Sequence, residues 1–382
     1  MKVIALYLPQ FHQIPENDRW WGEGFTEWVN VKNARPLYSG HYQPREPLNK
    51  NYYDLNDIET IKWQCKIARE HGLYGFSFYH YWFNGHLLLQ KPMEMLLANK
   101  EIDINYCICW ANHNWTDGWK STGNAVNTLI AHDFDNEEDW VHHFDYMLQF
   151  FKDDRYIKEN NKPLLTIYIP QIIGKLNKML ALWNDLAIAN GFNGMTFLYQ
   201  SAPAFLDKSW DRSKFKYGIQ FNPDYAITAV KNAHKGKINT LIVRYSHLVK
   251  KTLGIKRGIN IFPKRSGPIK HDYDDIWDVI LNHAPVSEDV IPCAYVDWDN
   301  TPRRQERGSV HVGADPEKFE KYFKQLVVKT RQSYKQDKLF VFAWNEWAEG
   351  GYLEPDNKYG FGFLNAIRDS LNSLNENEFI NE

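Results

Sequence analysis

The sequence predicts an α/β protein of the (β/α)8 barrel class, a TIM barrel with long βα loops and one basic helical insertion. Eight short apolar segments, rich in β-branched and aromatic residues, alternate with longer segments whose apolar residues recur at helical spacing. A chain of 382 residues has room for eight such βα units. The competing doubly wound sheet normally carries a glycine-rich phosphate turn after an early strand, and Tyr7-Leu-Pro-Gln10 is no such turn.

The predicted strands are distributed along the whole chain and are bounded by polar or turn residues. They are Val3–Leu8, Gly75–Tyr81, Ile104–Trp110, Leu164–Ile169, Met195–Tyr199, Tyr217–Phe221, Val290–Val296 and Leu339–Ala343. The first segment lacks the long hydrophobic region and the small-residue cleavage site of a signal peptide, so we expect it to be a buried strand.

Apolar stripes between these strands predict the helices. One stripe contains Ile58, Ile61, Cys65 and Ala68, and Gly72 follows it as a stop signal. Further stripes lie in 140–151, 176–186, 319–326 and 364–371, and Asp315-Pro316 predicts the start of the helix over 319–326. His142 and His143 lie on the amphipathic helix predicted over 140–151, and we expect both at the surface.

Composition limits the classes of protein that the chain can belong to. It is 43% hydrophobic and 24% charged, with no run of 18 apolar residues that would span a membrane. Its four cysteines are too few for a disulfide scaffold and form no CxxC pair, which fits a reducing, cytoplasmic environment without structural zinc. We therefore expect one catalytic domain over residues 1–382.

A basic tract lies inside the predicted insertion, which covers residues 225–289. From Tyr225 to His271 there are 11 lysines and arginines and no acidic residue, whereas the whole chain has a net charge of −2. Such a tract is either a solvated surface insertion or a contact for an anionic glycan, a lipid diphosphate or a membrane surface. Nucleic acid is not expected, because no recognition motif accompanies the basic residues.

Aromatic residues are unusually frequent, at 59 of 382, and many tryptophans lie beside polar residues. Rings flanked by hydrogen-bonding groups suit the apolar faces and polar edges of sugars. In a (β/α)8 barrel the site forms at the carboxyl ends of the strands. The residues near those ends that we expect to bind substrate are Gln10, His12, Trp28, His80, Tyr81, Trp110, Asn112, His113, Tyr168, Asn222, Asp297, Trp298 and Trp347.

Glu346 and Glu349, which follow the last strand, are the candidate catalytic residues. Cleavage of a glycosidic bond needs one carboxyl to protonate the leaving oxygen and a second group as base or nucleophile. Apolar walls from Trp344 and Trp347 and a nearby like charge would raise the pKa of one carboxyl, so that the pair divides into acid and base. The alternative is a structural role, in which one glutamate caps the following turn or pairs with an arginine such as Arg303 or Arg304.

Other chemistries have weaker support in the sequence. Asp297-x-Asp299 has the spacing that nucleotide-sugar transferases use to hold a metal, but sugar or structural hydrogen bonding is the stronger interpretation. The histidines show no metal-ligand spacing, and no GxSxG turn is present. We therefore expect neither a metal nor a cofactor. The sequence leaves the oligomeric state open.

Seven segments, which together run through almost the whole chain, resemble the bacterial WbsX-like proteins. These segments are Tyr7-Leu-Pro-Gln-Phe-His12, Trp20-Trp-Gly-Glu-Gly-Phe-Thr-Glu-Trp28, Gly40-His-Tyr-Gln-Pro44, Tyr79-His-Tyr-Trp82, Trp110-Ala-Asn112, Trp298-Asp-Asn-Thr-Pro-Arg303 and Trp344-Asn-Glu-Trp-Ala-Glu-Gly350. WbsX-like proteins are often labelled glycosyltransferases of surface-polysaccharide clusters. They look like distant relatives of glycoside hydrolase family 99, the endo-α-1,2-mannosidases.

The resemblance implies a metal-independent glycoside hydrolase that retains the anomeric configuration. In the mechanism ascribed to family 99 the sugar's own 2-hydroxyl attacks C1, so the α-linked sugar must be of the mannose or rhamnose type. By position Glu346 would be the base toward O2 and Glu349 the general acid and base. WbsX-like chains usually carry Glu where this chain has His113, which bears on the identity of the substrate.

The sequence thus favours a hydrolase or transglycosylase acting on a bacterial polysaccharide or its precursor. A glycosyltransferase of surface-polysaccharide biosynthesis, including that of lipopolysaccharide, is the alternative, and a non-catalytic glycan-binding barrel is the third reading.

Overall fold

The computed structural model describes residues 1–118, 126–228, 267–283 and 288–380, and it confirms the predicted barrel. Its strands are β1 (Lys2–Tyr7), β2 (Gly75–Phe83), β3 (Asn105–Trp110), β4 (Lys162–Ile167), β5 (Thr196–Tyr199), β6 (Phe215–Gln220), β7 (Val290–Tyr295) and β8 (Lys338–Phe342). Each strand pairs in parallel with its neighbours in the chain, and β1 also pairs with β8. This last pairing closes the sheet.

Helices follow the strands; the longer ones cover the outside of the barrel, and shorter ones lie in the loops after the strands. They are α1 (Pro15–Trp21), α2 (Glu27–Asn33), α3 (Ile58–Glu70), α4 (Lys91–Ala98), α5 (Glu137–Phe151), α6 (Leu176–Ala189), α7 (Ala202–Leu206), α8 (Tyr273–Asp278), α9 (Thr301–Arg304), α10 (Pro316–Gln332) and α11 (Gly362–Ile380). The predicted start of α10 is confirmed, because the Asp315 carboxylate accepts from the Lys318 backbone N–H at 2.8 Å.

Several short strands were not predicted. They are His86–Leu88, Trp115–Thr116, Thr128–Ile130, Lys158–Glu159, Ile269–Asp272, Ser309–Val312, Asn345–Glu346 and Gly351–Tyr352. Segments of two to four residues contain too few positions for a period to be recognised. Most of them form small ribbons in the loops, and one of these ribbons carries Glu346.

The core is continuous from the inside of the barrel to the inner faces of the helices. Val3, Ile4, Ala5 and Leu6 of β1 are all fully buried, as parallel strands covered on both faces require. This burial explains why the strands are near-continuous apolar runs. The four cysteines are buried and free.

The structure corrects one prediction for α5. His142 is exposed, but His143 is buried between β2 and β3, with Trp82 stacked on its ring at a centroid distance of 4.7 Å. The predicted surface position of His143 is therefore wrong. An amphipathic stripe defines the inward side of a helix only to within about one neighbouring position.

Most of the basic tract lies outside the described residues, and so does most of the predicted helical insertion. Of its 11 basic residues the structure describes Lys270, whose ammonium lies 3.3 Å from the centre of the Tyr38 ring. In the ranges that the structure describes, no helix is both long and apolar enough to cross a membrane.

Candidate active site

A cleft of about 670 Å³ opens at the carboxyl ends of the barrel strands. Its walls are rich in aromatic rings, namely Trp21, Tyr79, Tyr81, Trp115, Tyr168, Phe221, Trp298 and Phe342. Its charged lining residues are Glu27, Asp224, Arg303, Arg304, Arg307, Glu346 and Glu349. The cleft is therefore both aromatic and ionisable, and large enough for one or more sugar rings.

Glu346 and Glu349 lie on one tight hairpin that follows β8. Asn345–Glu346 pairs antiparallel with Gly351–Tyr352, and a single turn of 3-10 helix, Trp347–Glu349, joins the two short strands. The Asn345 side chain accepts from the Leu8 N–H at 2.8 Å and donates to the Leu8 carbonyl at 2.9 Å, which ties the hairpin to the end of β1. Both predicted carboxylates consequently line the cleft.

Arg303 of α9 binds three carboxylates at the floor of the cleft. Its guanidinium donates to Glu349 Oε1 at 2.5 Å from Nη1, to Glu346 Oε2 at 3.3 Å from Nη2 and to Glu27 Oε2 at 3.2 Å from Nε. These carboxylates come from α2 and from the hairpin after β8. A charge cluster of this kind aligns the two glutamates relative to each other.

The environment of Glu346 raises the pKa of its carboxyl group. Burial and the negative charge of Glu349 raise the pKa of Glu346 to about 8, Arg303 opposes the rise, and Glu27 adds to it. Glu346 therefore holds a proton at neutral pH while Glu349 is ion-paired with Arg303. Because the two groups interact strongly, this pKa is a property of the pair.

A second buried carboxyl supports the hairpin from below. Glu354 accepts from the Trp347 indole N–H at 2.7 Å, from the Tyr53 hydroxyl at 2.8 Å and from the Gln64 amide at 2.6 Å. Burial raises the pKa of Glu354 to about 7, and these hydrogen bonds limit the rise. This network fixes the indole ring of Trp347 in the core beneath Glu346 and Glu349.

The structure brings five of the predicted substrate-binding residues to the cleft. Gln10, Tyr81, His113, Tyr168 and Trp298 all contribute to its lining. The His113 ring lies against Tyr168 at a centroid distance of 5.7 Å, and burial lowers the pKa of His113. His113 is thus a neutral ring at the position where the resembling family usually has a carboxylate.

Four other residues predicted to bind substrate pack against protein neighbours and do not line the cleft. His80 shares a hydrogen bond of 3.0 Å with His143, and burial lowers the pKa of His80 to about 3. Trp110 lies against the same His143 ring. The rings of Trp28 and Trp347 pack against each other in the core, with their centroids 5.5 Å apart. Side chains alternate between the two faces of a strand, and a sequence does not say which face points into a barrel.

Two predicted amides hold backbone instead. Asn112 accepts from the Ile169 N–H at 2.7 Å and donates to the Ile169 carbonyl at 2.8 Å. Asn222 donates to the Cys293 carbonyl at 2.8 Å and accepts from the Ala226 N–H at 3.2 Å. Both amides thereby satisfy loop backbone groups that would otherwise be buried without partners.

His12 and Asp297 also lie off the cleft. His12 is 2% exposed, and burial lowers its pKa to about 4. Asp297 accepts from Arg45 Nη2 at 2.8 Å. The described residues contain no group of three or more His, Cys, Asp or Glu side chains that could hold a metal ion. The partner of the Asp297 carboxylate in the structure is thus the Arg45 guanidinium.

Sequence reasoning missed Glu27, Asp224, Arg303, Arg304 and Arg307 as lining residues. Glu27 and Arg303 lie within two of the segments that carry the family resemblance, so their motifs gave a signal that residue type alone did not. Arg303 was considered as a structural partner of the glutamates, and the structure shows that contact. It also places Arg303 within the cleft itself.

Gly350, which ends the turn bearing Glu349, has a positive φ of 71°, and a Cβ there would lie 2.8 Å from the Asp299 backbone nitrogen. We expect Gly350→Ala to destabilise the protein by more than the roughly 1–2 kcal/mol of a left-handed alanine. Gly40→Ala is the control, because Gly40 has φ 81° but no atom within 4 Å of its Cβ position. Chemical denaturation gives the free energy of unfolding of both variants. Equal losses of stability would contradict the clash at position 350.

The fold and the site together define a closed (β/α)8 barrel protein with paired carboxylates among aromatic rings, an arrangement typical of carbohydrate-active enzymes. The chain belongs to the family described as "Glycosyltransferase WbsX", which it matches over residues 3–367. It is 30% identical over 374 residues to the uncharacterized protein WxcX of Xanthomonas campestris pv. campestris strain B100, and 31% identical to that of strain ATCC 33913. It covers 49% of each of these relatives, about half their length.

Solved structures with a similar fold include a GH99 endo-alpha-mannosidase from Bacteroides thetaiotaomicron. The TM-score is 0.56 at 13% identity, over 98% of this chain and 97% of that one. A glycoside hydrolase-like protein gives a TM-score of 0.54 at 12% identity, over 97% of this chain and 93% of the other. At this identity the similarity concerns the fold.

Proposed function

We propose that this chain is a retaining glycoside hydrolase or transglycosylase that acts on a bacterial polysaccharide or its precursor, at an α-mannoside- or α-rhamnoside-type linkage. The observation that carries the proposal is the meeting of Glu346 and Glu349 around Arg303 at the floor of an aromatic cleft. Carboxylate pairs in such clefts catalyse glycosidic bond cleavage.

In the proposed reaction Glu346 accepts the proton of the sugar's 2-hydroxyl while O2 attacks C1. The bond from C1 to the leaving oxygen breaks, and that oxygen takes a proton from Glu349. Glu349 then removes a proton from water, or from an acceptor hydroxyl in transglycosylation, as this oxygen opens the 1,2-anhydro ring at C1, and O2 recovers its proton from Glu346. Two inversions at C1 give net retention.

The electrostatics of the floor support a pair that shares a single proton. The first step needs one carboxyl protonated and the other ionised, and the raised pKa of about 8 keeps a proton on Glu346 at neutral pH. Substrate binding must therefore move this proton to the Glu349 side of the pair before reaction. Since Arg303 contacts both carboxylates, a small shift of its guanidinium would change their relative proton affinities.

We expect kcat/KM to fall as the pH rises through about 8. The raised pKa of Glu346 means that the pair keeps its proton below about 8 and loses it above, which leaves no acid for the leaving oxygen. A pH profile measured on the cleaved glycan checks this, with Glu354→Gln as a second profile because Glu354 also titrates near 7. Activity that rises steadily through pH 9 would contradict a shared proton.

A glycosyltransferase is the second candidate, because the family name favours it. The Asp297-x-Asp299 motif adds little support, since both carboxylates are hydrogen-bonded by protein donors. A transferase would release nucleoside diphosphate from a nucleotide-sugar donor, or transfer sugar from a lipid-linked donor to an acceptor.

One experiment separates the two candidates. Purified protein is incubated with a chelator and with bacterial polysaccharides and α-linked manno- and rhamno-oligosaccharides, and the first product is examined by NMR. Cleavage with a product that initially retains the α configuration is the expected result. Cleavage with an inverted product would contradict the retaining mechanism, and no cleavage combined with manganese-dependent release of nucleoside diphosphate from a sugar donor would contradict the hydrolase.

A further inference from the structure

We propose that Asp299 is a positioning residue that holds Glu349 and Arg303 against each other by bonding to the two elements that carry them. The inference rests on the proposed function for the roles of Glu349 and Arg303. It gives a function to the second carboxylate of the Asp297-x-Asp299 motif.

The Asp299 carboxylate is fully buried and accepts four hydrogen bonds from three side chains and one backbone group. Oδ1 accepts from the Thr301 backbone N–H at 3.0 Å and from the Thr301 hydroxyl at 2.6 Å. Oδ2 accepts from the Gln43 amide at 2.7 Å and from His41 Nε2 at 2.8 Å. Burial alone would raise the pKa of Asp299, but these donors and Arg45 lower it, so the group is an anion.

Each of the groups hydrogen-bonded to the Asp299 carboxylate is a donor, so position 299 must supply only acceptors. His41 Nδ1 accepts from the Leu37 N–H at 3.1 Å, so the ring proton must be on Nε2, where it points at Asp299. Thr301 and Gln43 also donate. A neutral amide at position 299 would therefore direct its NH2 group at another donor, whichever way it turned.

Asp299 is connected in one direction to Arg303. Thr301, which donates two of the four hydrogen bonds, is the first residue of α9, and Arg303 is the third residue of this helix. The carboxylate thus anchors the start of the helix that presents the guanidinium. Because α9 is a single short turn, fixing its start also restricts the position of Arg303.

In the other direction Asp299 is connected to Glu349. The Asp299 backbone N–H donates to the Glu349 carbonyl at 2.7 Å. Arg45 adds a second brace, with Nη1 donating to the Gly350 carbonyl at 3.2 Å and Nη2 to Asp297 at 2.8 Å. The turn at Gly350 approaches the Asp299 backbone so closely that a Cβ at position 350 would clash with it, which requires glycine there. Asp299 consequently fixes both partners of the 2.5 Å contact between Arg303 and Glu349.

The test is Asp299→Asn, assayed on the glycan that the wild type cleaves. We expect kcat to fall on the order of 100-fold while KM changes less than about threefold, because misplaced catalytic groups lower turnover without removing the sugar-binding walls. Thr301→Val removes one hydroxyl donor and keeps the side-chain shape, so it tests the same connection with less risk to folding. Its kcat should fall in the same sense by a smaller factor.

A second measurement needs no turnover. Difference infrared titration follows the protonated carboxyl of Glu346, assigned as the band that disappears in Glu346→Gln. Arg303 opposes the raised pKa of Glu346, whereas Glu349 and Glu27 add to it. Release of Arg303 in Asp299→Asn or Thr301→Val should therefore move the midpoint of this band to higher pH.

The matched control is Asp153→Asn. Asp153 is likewise a buried aspartate, 6% exposed, and is bonded by Arg155 at 2.7 Å and Lys100 at 2.9 Å, but it lies in the loop before β4, at the opposite end of the barrel. This variant should lose stability and keep both the wild-type kcat per folded molecule and the wild-type infrared midpoint.

The outcomes are distinct. A folded Asp299→Asn or Thr301→Val with wild-type kcat and midpoint would overturn the inference, and so would losses that Asp153→Asn reproduces. If the wild type cleaves no glycan, the proposed function fails, while the infrared midpoint still decides whether Asp299 holds Arg303 in place.

Discussion

Glu349→Gln should abolish glycan cleavage while leaving glycan binding intact. Loss of a general acid and base costs about 10²- to 10⁴-fold in rate, and Glu349 would act in both steps of the proposed reaction. Glutamine has nearly the same shape and still accepts a hydrogen bond from Arg303, so the cleft should keep its form. Turnover is measured as newly formed reducing ends, and binding on a glycan array.

The matched control for this variant is Glu306→Gln. Glu306 lies on the exposed turn Gln305–Arg307, close in sequence to the cleft wall, and its side chain is in solvent. It should retain full activity. A fully active Glu349→Gln would remove Glu349 from the mechanism, and loss of binding together with activity would make it a substrate contact instead.

Arg303→Gln should be strongly destabilising as well as inactive. It removes the cation that three carboxylates share, and breaking a buried charge pair costs about 3–5 kcal/mol. The loss of stability should be largest at alkaline pH, because Glu346, with a pKa raised to about 8, is neutral at lower pH and becomes a further uncompensated negative charge above it. Urea unfolding at pH 6 and pH 9 measures this difference.

Arg304→Gln separates the contribution of the cluster from that of any arginine in the cleft. Arg304 lines the same cleft but is exposed, so its replacement should change stability by no more than about 0.5 kcal/mol. If Arg303→Gln were as stable as Arg304→Gln at both pH values, the three-carboxylate cluster would not contribute to folding.

The barrel could be predicted because its strands and helices are local patterns. Each predicted strand overlaps an observed one, and the Asp315-Pro316 signal identified the start of α10 correctly. The position of Glu346 and Glu349 in the cleft could be predicted for a similar reason, since they directly follow the last strand and the strand ends of a barrel converge. The sequence did not indicate which side of an element each side chain lies on, as for His80 and Trp110, which contact His143 of α5.

What the sequence alone determined is the order of elements and the presence of two glutamates at one end of β8, because both depend on residues within a few positions of each other. Tertiary structure decided which partners surround those glutamates. Arg303 lies 43 residues from Glu346 and 276 from Glu27 along the chain, and only closure of the barrel brings them within hydrogen-bonding distance. The raised pKa of Glu346 has the same origin, since burial and neighbouring charges exist only once the distant segments have packed together.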